Sequence, residues 1–330
     1  MTELSYAREL YYRGSGRVPL GRLAVAALAV TAAAAGAGAV YAVIIANVAR
    51  LGDMLYVAAA APLVLAAFAF GAGGATGGIL KRARVHNPLL WWVVAVWGAL
   101  CAWYVSWVVW EFIVLRRFGL DVPFLRLLTS PRGDWYVALL INRVGTVAFG
   151  RGDTPLAGSL LWVLWAIEAA AVLGVASWLP FKMLRLLAFC EGSGRWCVYR
   201  QGQLSVGYGA GDNGDVGDLR GRLEQKDLSV LEEYGKADMD APRRFRIDLQ
   251  HCPGCGQTHL MSVFLIRVTE YTNGRTKDKA RRVIDRLWLD PAQAEQVNGF
   301  KNRLWPPIAA VAVVPAEEND FDGETSDVGG

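Results

Sequence analysis

The sequence predicts an α-helical membrane protein: a four-helix transmembrane bundle with a small cytoplasmic α+β domain that is zinc-ribbon-like in its cysteine spacing. Three observations predict it. Apolar residues make up 54% of the chain and charged residues 19%, with the apolar ones gathered in the first 180 positions. Four apolar runs in that region are long enough to cross a hydrocarbon core of ~30 Å at 1.5 Å per residue. The polar remainder holds two cysteine-bearing segments, Cys190 to Cys197 and Cys252-Pro-Gly-Cys255.

Residues 1–22 form a polar cytoplasmic segment with Arg8, Arg13, Arg17 and Arg22. The transmembrane domain is expected over 23–180. Its first span, Leu23 to Ala46, is free of charge and rich in alanine. It exceeds the 7–15 residues of a signal-peptide core, so an uncleaved span is the preferred reading over a signal peptide. A short turn, Asn47 to Met54, makes the second span antiparallel to the first. That span, Leu55 to Leu80, carries the overlapping pairs Gly73/Gly77 and Gly74/Gly78. Such pairs let another helix approach closely, either inside one bundle or in a homo-oligomer.

The basic connection Lys81 to Pro88 leads to a third span, Leu89 to Leu115, with six tryptophans. Trp91 and Trp92 at one end and Trp107 and Trp110 at the other suit interfacial belts. The long connection Arg116 to Pro155 contains a predicted amphipathic helix over 131–144, with Ser130 as N-cap and Pro131 at the first helical position. Trp135, Leu139 and Asn142 are expected on one side of it, and Leu140 and Val144 on a second. The fourth span runs from Leu156 to Leu179, where Pro180 is expected to end it.

Basic residues at 8–22, at 81–84 and at 182–185 place both termini inside, in a multi-pass protein of the cell inner (plasma) membrane. Residues 181–315 should form the cytoplasmic domain. Strands are expected around Trp196 to Val206, Arg243 to Leu249, Leu260 to Tyr271 and up to Leu289, with helices over Leu219 to Tyr234 and Pro291 to Leu304. The tail 316–330 contains six acidic residues from Glu317 and no basic ones, a composition that favours disorder.

The strongest chemical motif is Cys252-x2-Cys255. Two thiolates about a tight turn can reach one tetrahedral ion at ~2.3 Å, and a structural site needs four ligands. Cys190 and Cys197 are the expected partners, with His251 and His259 as spares, and one structural zinc is the expected cofactor. A second full knuckle would need cysteine at 193, where the chain has Ser193. A degenerate ribbon without metal is therefore one alternative, and a thioredoxin-like redox pair is another.

Glu168 is the only ionisable residue of the fourth span. A charge at mid-bilayer costs at least ~2.5–3.5 kcal/mol on the insertion scale, so it should face the bundle. It is expected to serve as an interhelical hydrogen-bond partner of Thr31, Tyr41 or Ser106, as a proton or cation relay, or as a lipid-headgroup contact. Glu111 is expected to form an interfacial ion pair with Arg116 or Arg117. The basic run Arg275 to Arg286 is diluted by Asp278 and Asp285, and nucleic acid is not an expected partner. No Walker A loop, strand–helix GxGxxG, HExxH or GxSxG is present, and no catalytic set converges in the sequence.

The spans, the Arg84-Val-His-Asn87-Pro88 turn, the Asn142-Arg-Val-Gly145-Thr146 stretch, the run through Trp162, Trp165 and Glu168, and the two cysteine segments together resemble a group of bacterial multi-pass membrane proteins with a cytoplasmic zinc-ribbon-like tail. The likeness covers most of the chain. It implies an architecture and a location, and no reaction. The function expected is that of a non-enzymatic interaction, regulatory or scaffold protein. Its partners would be membrane lipid and a protein docked on the cytoplasmic tail. The alternative is a small transporter or channel using Glu168.

Overall fold

The computed structural model describes residues 10–48, 54–145, 157–208, 214–237, 241–270 and 276–304. The turn around 49–53, the Asn273-Gly274 turn, residues 209–213 of the Gly207–Gly217 break and the acidic tail lie outside the described residues. Contacts divide the chain into two compact units. One comprises Met1–Gln201, Leu249–Met261 and Arg286–Trp288, and the other Gly202–Asp248, Ser262–Asp285 and Leu289–Gly330. The cysteine segments thus group with the helices rather than with the sheet core.

The first unit is built on α1 (Leu20–Val48), α2 (Met54–Arg82), α3 (Pro88–Arg117), the short α4 (Phe124–Leu128), α5 (Pro131–Val144) and α6 (Ser159–Leu184). Among the described residues, four helices are long and apolar enough to cross a membrane: α1, α2, α3 and α6. They pack chiefly as two pairs, α1 with α3 and α2 with α6. Small residues allow this. Gly38 faces the Ala102 carbonyl and the Ser106 amide, and Val30, Ala34, Ala99 and Ala102 are buried along the same seam. The start of α3 follows from its sequence, since Asn87 accepts from the Leu89 and Leu90 amides and Pro88 takes the first turn.

Two expectations need correction here. Pro180 does not end the last span, because α6 continues through it to Leu184. A proline removes one amide donor, and packing against a neighbouring helix lets a membrane helix tolerate that. Pro180 is buried, and a Cβ at Gly77 of α2 would lie 3.4 Å from its Cα. In α5, whose bounds and Ser130 cap are as expected, the buried face is Asp134, Ala138, Ile141 and Asn142. Trp135, Leu140 and Val144 are exposed, so the helix shows bulky apolar groups outward and buries a carboxylate.

The second unit holds most of a four-stranded sheet in the order β3 (Val198–Gly207), β4 (Arg243–His251), β5 (His259–Glu270), β6 (Thr276–Leu289), where β1 is Phe189–Cys190 and β2 is Arg195–Trp196. Its buried residues include Leu204, Val206, Phe245, Ile247, Val263 and Leu265 of the sheet, and Leu219, Leu231 and Val297 of α7 (Gly214–Glu224), α8 (Val230–Glu233) and α9 (Pro291–Leu304). The single helix expected over 219–234 is broken. Lys226 has φ 68° and the Asp227 amide bonds back to the Arg222 carbonyl, a left-handed helix end. Asp248 is buried and anchored by the Gly202 amide at 2.7 Å and the Arg246 guanidinium at 3.1 Å. Arg246 also lies 4.8 Å above the Phe264 ring.

Candidate metal centre and intramembrane carboxylates

Two tight turns of the first unit bring the cysteines together. The first joins β1 to β2, which pair antiparallel with Cys190 opposite Arg195. Gly194, at φ 63°, closes it in a conformation that suits glycine. The second is Cys252 to Thr258, closed by the Cys252 amide on the Thr258 carbonyl at 2.9 Å, with Gly256 also at φ 63°. The sulfurs of Cys190, Cys252 and Cys255 all lie within 4.8 Å of one another. Cys190 and Cys255 are 3.6 Å apart. A tetrahedral thiolate site with bonds of ~2.3 Å has edges of about 3.8 Å, so this spacing suits one ion.

Two hydroxyls stand beside the three sulfurs. Ser193 Oγ lies 3.0 Å from Cys252 Sγ, at the place where a second knuckle would carry cysteine. The Thr258 hydroxyl donates to Cys190 at 3.2 Å and sits 3.6 Å from Cys255. Backbone amides of Gly254 and Gln257 approach Cys252 and Cys255 at 3.4 Å. Cys197, expected as the fourth ligand, is not in the group of three. It is buried beside the cluster, with Ala188 and Leu260, and its amide bonds to the Ala188 carbonyl. The reason is strand geometry: Cys197 follows β2 rather than lying in the turn, so it belongs to the apolar wall. His251 and His259 are not in the group either, and His259 Nε2 meets the Gly256 carbonyl at 2.7 Å.

The surroundings favour thiolates at the turns. Burial pushes the Cys190 thiol up, but hydrogen bonds from Ser193, Thr258 and Cys255 outweigh it and bring the group down to about 6. The Gln257 amide and the Thr258 hydroxyl hold Cys255 below its ordinary value. Burial and the neighbouring sulfurs push Cys197 up to about 12, which suits an inert packed thiol.

No family model, curated protein or solved structure matches this chain. The functional argument therefore rests on the geometry. A cluster of three cysteines that can hold a metal ion lies in the same unit as four helices of membrane-spanning length.

That cluster lies at one end of the bundle. The Trp196 indole donates to the Lys81 carbonyl at 2.7 Å, and Asn87 donates to the Gly16 carbonyl at 3.0 Å. The Tyr12 hydroxyl bonds the Phe189 carbonyl at 2.5 Å, and the Ser15 amide bonds Glu191. The start of α1, the α2–α3 turn and the end of α6 are thus gathered around the cysteine turns.

The membrane carboxylates divide. Glu168 is half-buried and accepts from the Tyr41 hydroxyl at 2.9 Å, so Tyr41 is its partner among the three expected. Tyr41 stacks on Phe68 with centroids 4.4 Å apart. Glu168 also lines a cavity of about 410 Å³ together with Trp107, Trp110, Trp165 and Arg117. Glu111, expected to pair at the interface, is fully buried with neither oxygen hydrogen-bonded among the described residues. Five helical positions separate it from Arg116, which places them on different faces. Arg116 instead approaches Asp121 at 3.5 Å and the Phe112 ring at 4.8 Å, and Arg117 donates to the Ala46 carbonyl.

Sequence reasoning missed Thr258 and Asp134. A threonine three residues after Cys255 carries no signal by itself. Asp134 sits in a segment read as amphipathic, and it is the Tyr104 hydroxyl, 3.0 Å away and thirty residues distant, that makes its burial tolerable.

Proposed function

We propose that this chain is an integral membrane protein of the multi-pass, zinc-ribbon-tailed kind, with both termini cytoplasmic, and that it works as a non-enzymatic docking or regulatory protein. The observation that carries this reading is the convergence of Cys190, Cys252 and Cys255 on two rigid turns at the bundle end where the chain enters and leaves. One zinc ion would be held by those three thiolates, with the Ser193 hydroxyl at the fourth corner. When bound, such an ion cross-links turns that are far apart in sequence and fixes their loops for a partner. The sequence motifs that would supply an enzyme's nucleophile and base are missing, which favours binding over catalysis.

Elemental analysis of the purified protein tests the metal, with one zinc per chain expected. Reporter fusions within 49–53 and after Asn87 should read outside and inside. A metal-free wild type that stays fully folded would sink the docking module as described.

A second reading is favoured by one observation: Glu168 lines a cavity rather than only bridging helices. In a small transporter it would exchange protons or cations there, with Tyr41 as its hydrogen-bond partner. Proton flux into liposomes carrying the protein, lost in Glu168→Gln, would favour this reading over the first.

A further inference from the structure

The two glycine pairs of α2 have different surroundings. A Cβ at Gly73 would lie 3.1 Å from the Ala176 Cα, and one at Gly77 would lie 3.0 Å from the Met183 sulfur, so this pair seats α6. A Cβ at Gly71, Gly74 or Gly78 would meet nothing within 4 Å. That side of the helix is open, and toward the cysteine end it becomes a groove of about 790 Å³ lined by Lys81, Arg82, Arg84, Arg195 and Trp196.

Lys81, Arg82, Arg84 and Arg195 are all exposed, and none has an ion-pair or side-chain hydrogen-bond partner among the described residues. The β1–β2 hairpin contributes to the site directly. Trp196 bonds the Lys81 carbonyl, and the Arg84 guanidinium reaches within 3.5 Å of where a Gly194 Cβ would stand, next to Arg195. Four cations of one sign therefore converge where a span of membrane length ends.

We propose that this groove binds an anionic phospholipid. Its phosphate would sit among Lys81, Arg82, Arg84 and Arg195, with one acyl chain along the open face at Gly71, Gly74 and Gly78. Charge complementarity selects this occupant. A second copy docked on the same face would bring four more unpaired cations against these four and be repelled. A free phosphate would leave the apolar helix face uncovered, and a zwitterionic lipid would bring its own cation into the cluster. Basic pockets beside membrane helices select anionic headgroups at about fivefold in affinity per lysine or arginine. The inference rests on α2 being a membrane span and is independent of any metal.

The test uses the full chain purified in neutral detergent and a fluorescent phosphatidylglycerol probe. Unlabelled phosphatidylglycerol should compete, and phosphatidylcholine should need more than ~10-fold higher concentration. The double change Arg84→Gln with Arg195→Gln should weaken binding about 30-fold, from roughly fivefold per cation. Gly74→Leu with Gly78→Leu keeps every charge, enters open space and should also abolish binding, which keeps the test usable if the charge variant folds poorly. Equal competition by phosphatidylcholine, or competition by inorganic phosphate as strong as by the lipid, overturns the proposal. So does a glycine variant that changes a dimer to a monomer while lipid binding stays intact.

Discussion

Ser193 Oγ lies 3.0 Å from Cys252 Sγ, in the β1–β2 turn three residues after Cys190. A hydroxyl therefore stands next to one of the three clustered sulfurs. Ser193→Cys should tighten zinc by at least ~10-fold in chelator competition, because it adds a ligand to a site whose turns already have the geometry. Unchanged affinity would mean that the two turns do not share an ion.

The cysteines should divide three to one. Cys190→Ser, Cys252→Ser and Cys255→Ser should each lower zinc content and destabilise the first unit. Cys197→Ala should leave the zinc content intact and cost only the packing of one buried sulfur, about 1 kcal/mol. The readout is metal per chain beside the melting temperature. A Cys197 variant that loses zinc would return that residue to the ligand set.

These outcomes bear on how far the sequence was legible. The four helices and α5 were readable because membrane spans and caps depend on local composition: the ~20-residue apolar run, Asn87-Pro88 and Ser130-Pro131. The second cysteine turn was readable as a turn from the Cys252-Pro-Gly-Cys255 spacing. What was not readable was which sulfurs meet. Cys197 is as near to Cys190 along the chain as a ligand needs to be, and only the pairing of β1 with β2 sends it to the apolar wall. Glu111 failed for a similar reason. Charge proximity in sequence suggested a surface pair, while the helix phase puts it on the buried face of α3 with Val108 and Leu115.

Asp134 should impose a pH dependence. Burial raises its folded-state value, against which the Tyr104 hydrogen bond works. A raised carboxyl contributes stability that is complete below its unfolded value of 3.8 and is lost as pH rises through the folded value. Tyr104 and, further along α3, Glu111 are the titratable groups facing it. Thermal melts in detergent should therefore fall with rising pH above about 4, and Asp134→Asn should flatten that slope. A wild type whose melting temperature climbs over the same range would contradict this.

Tyr41 and Glu168 should be coupled. A double-mutant cycle of Tyr41→Phe and Glu168→Gln should return about 0.6 kcal/mol, and no more than ~1.7, the range for hydrogen bonds between membrane helices. A zero coupling energy from the unfolding midpoints would mean that the 2.9 Å contact is not maintained in the membrane.

The bond between Tyr12 and Phe189 joins positions 177 residues apart, and the Tyr12 amide also meets the Arg286 carbonyl. Along the chain, Tyr12 precedes both of these partners. At 5–20 residues per second it waits roughly 10–35 s for Phe189, and longer for Arg286, while all four long helices are made. During that interval Tyr12 lacks both of these bonds, and the Asn87 contact with the Gly16 carbonyl is an earlier hold on the leader. One late event of biogenesis is then a clasp of Tyr12 onto β1 and β6, so damage to either strand should be felt at Tyr12.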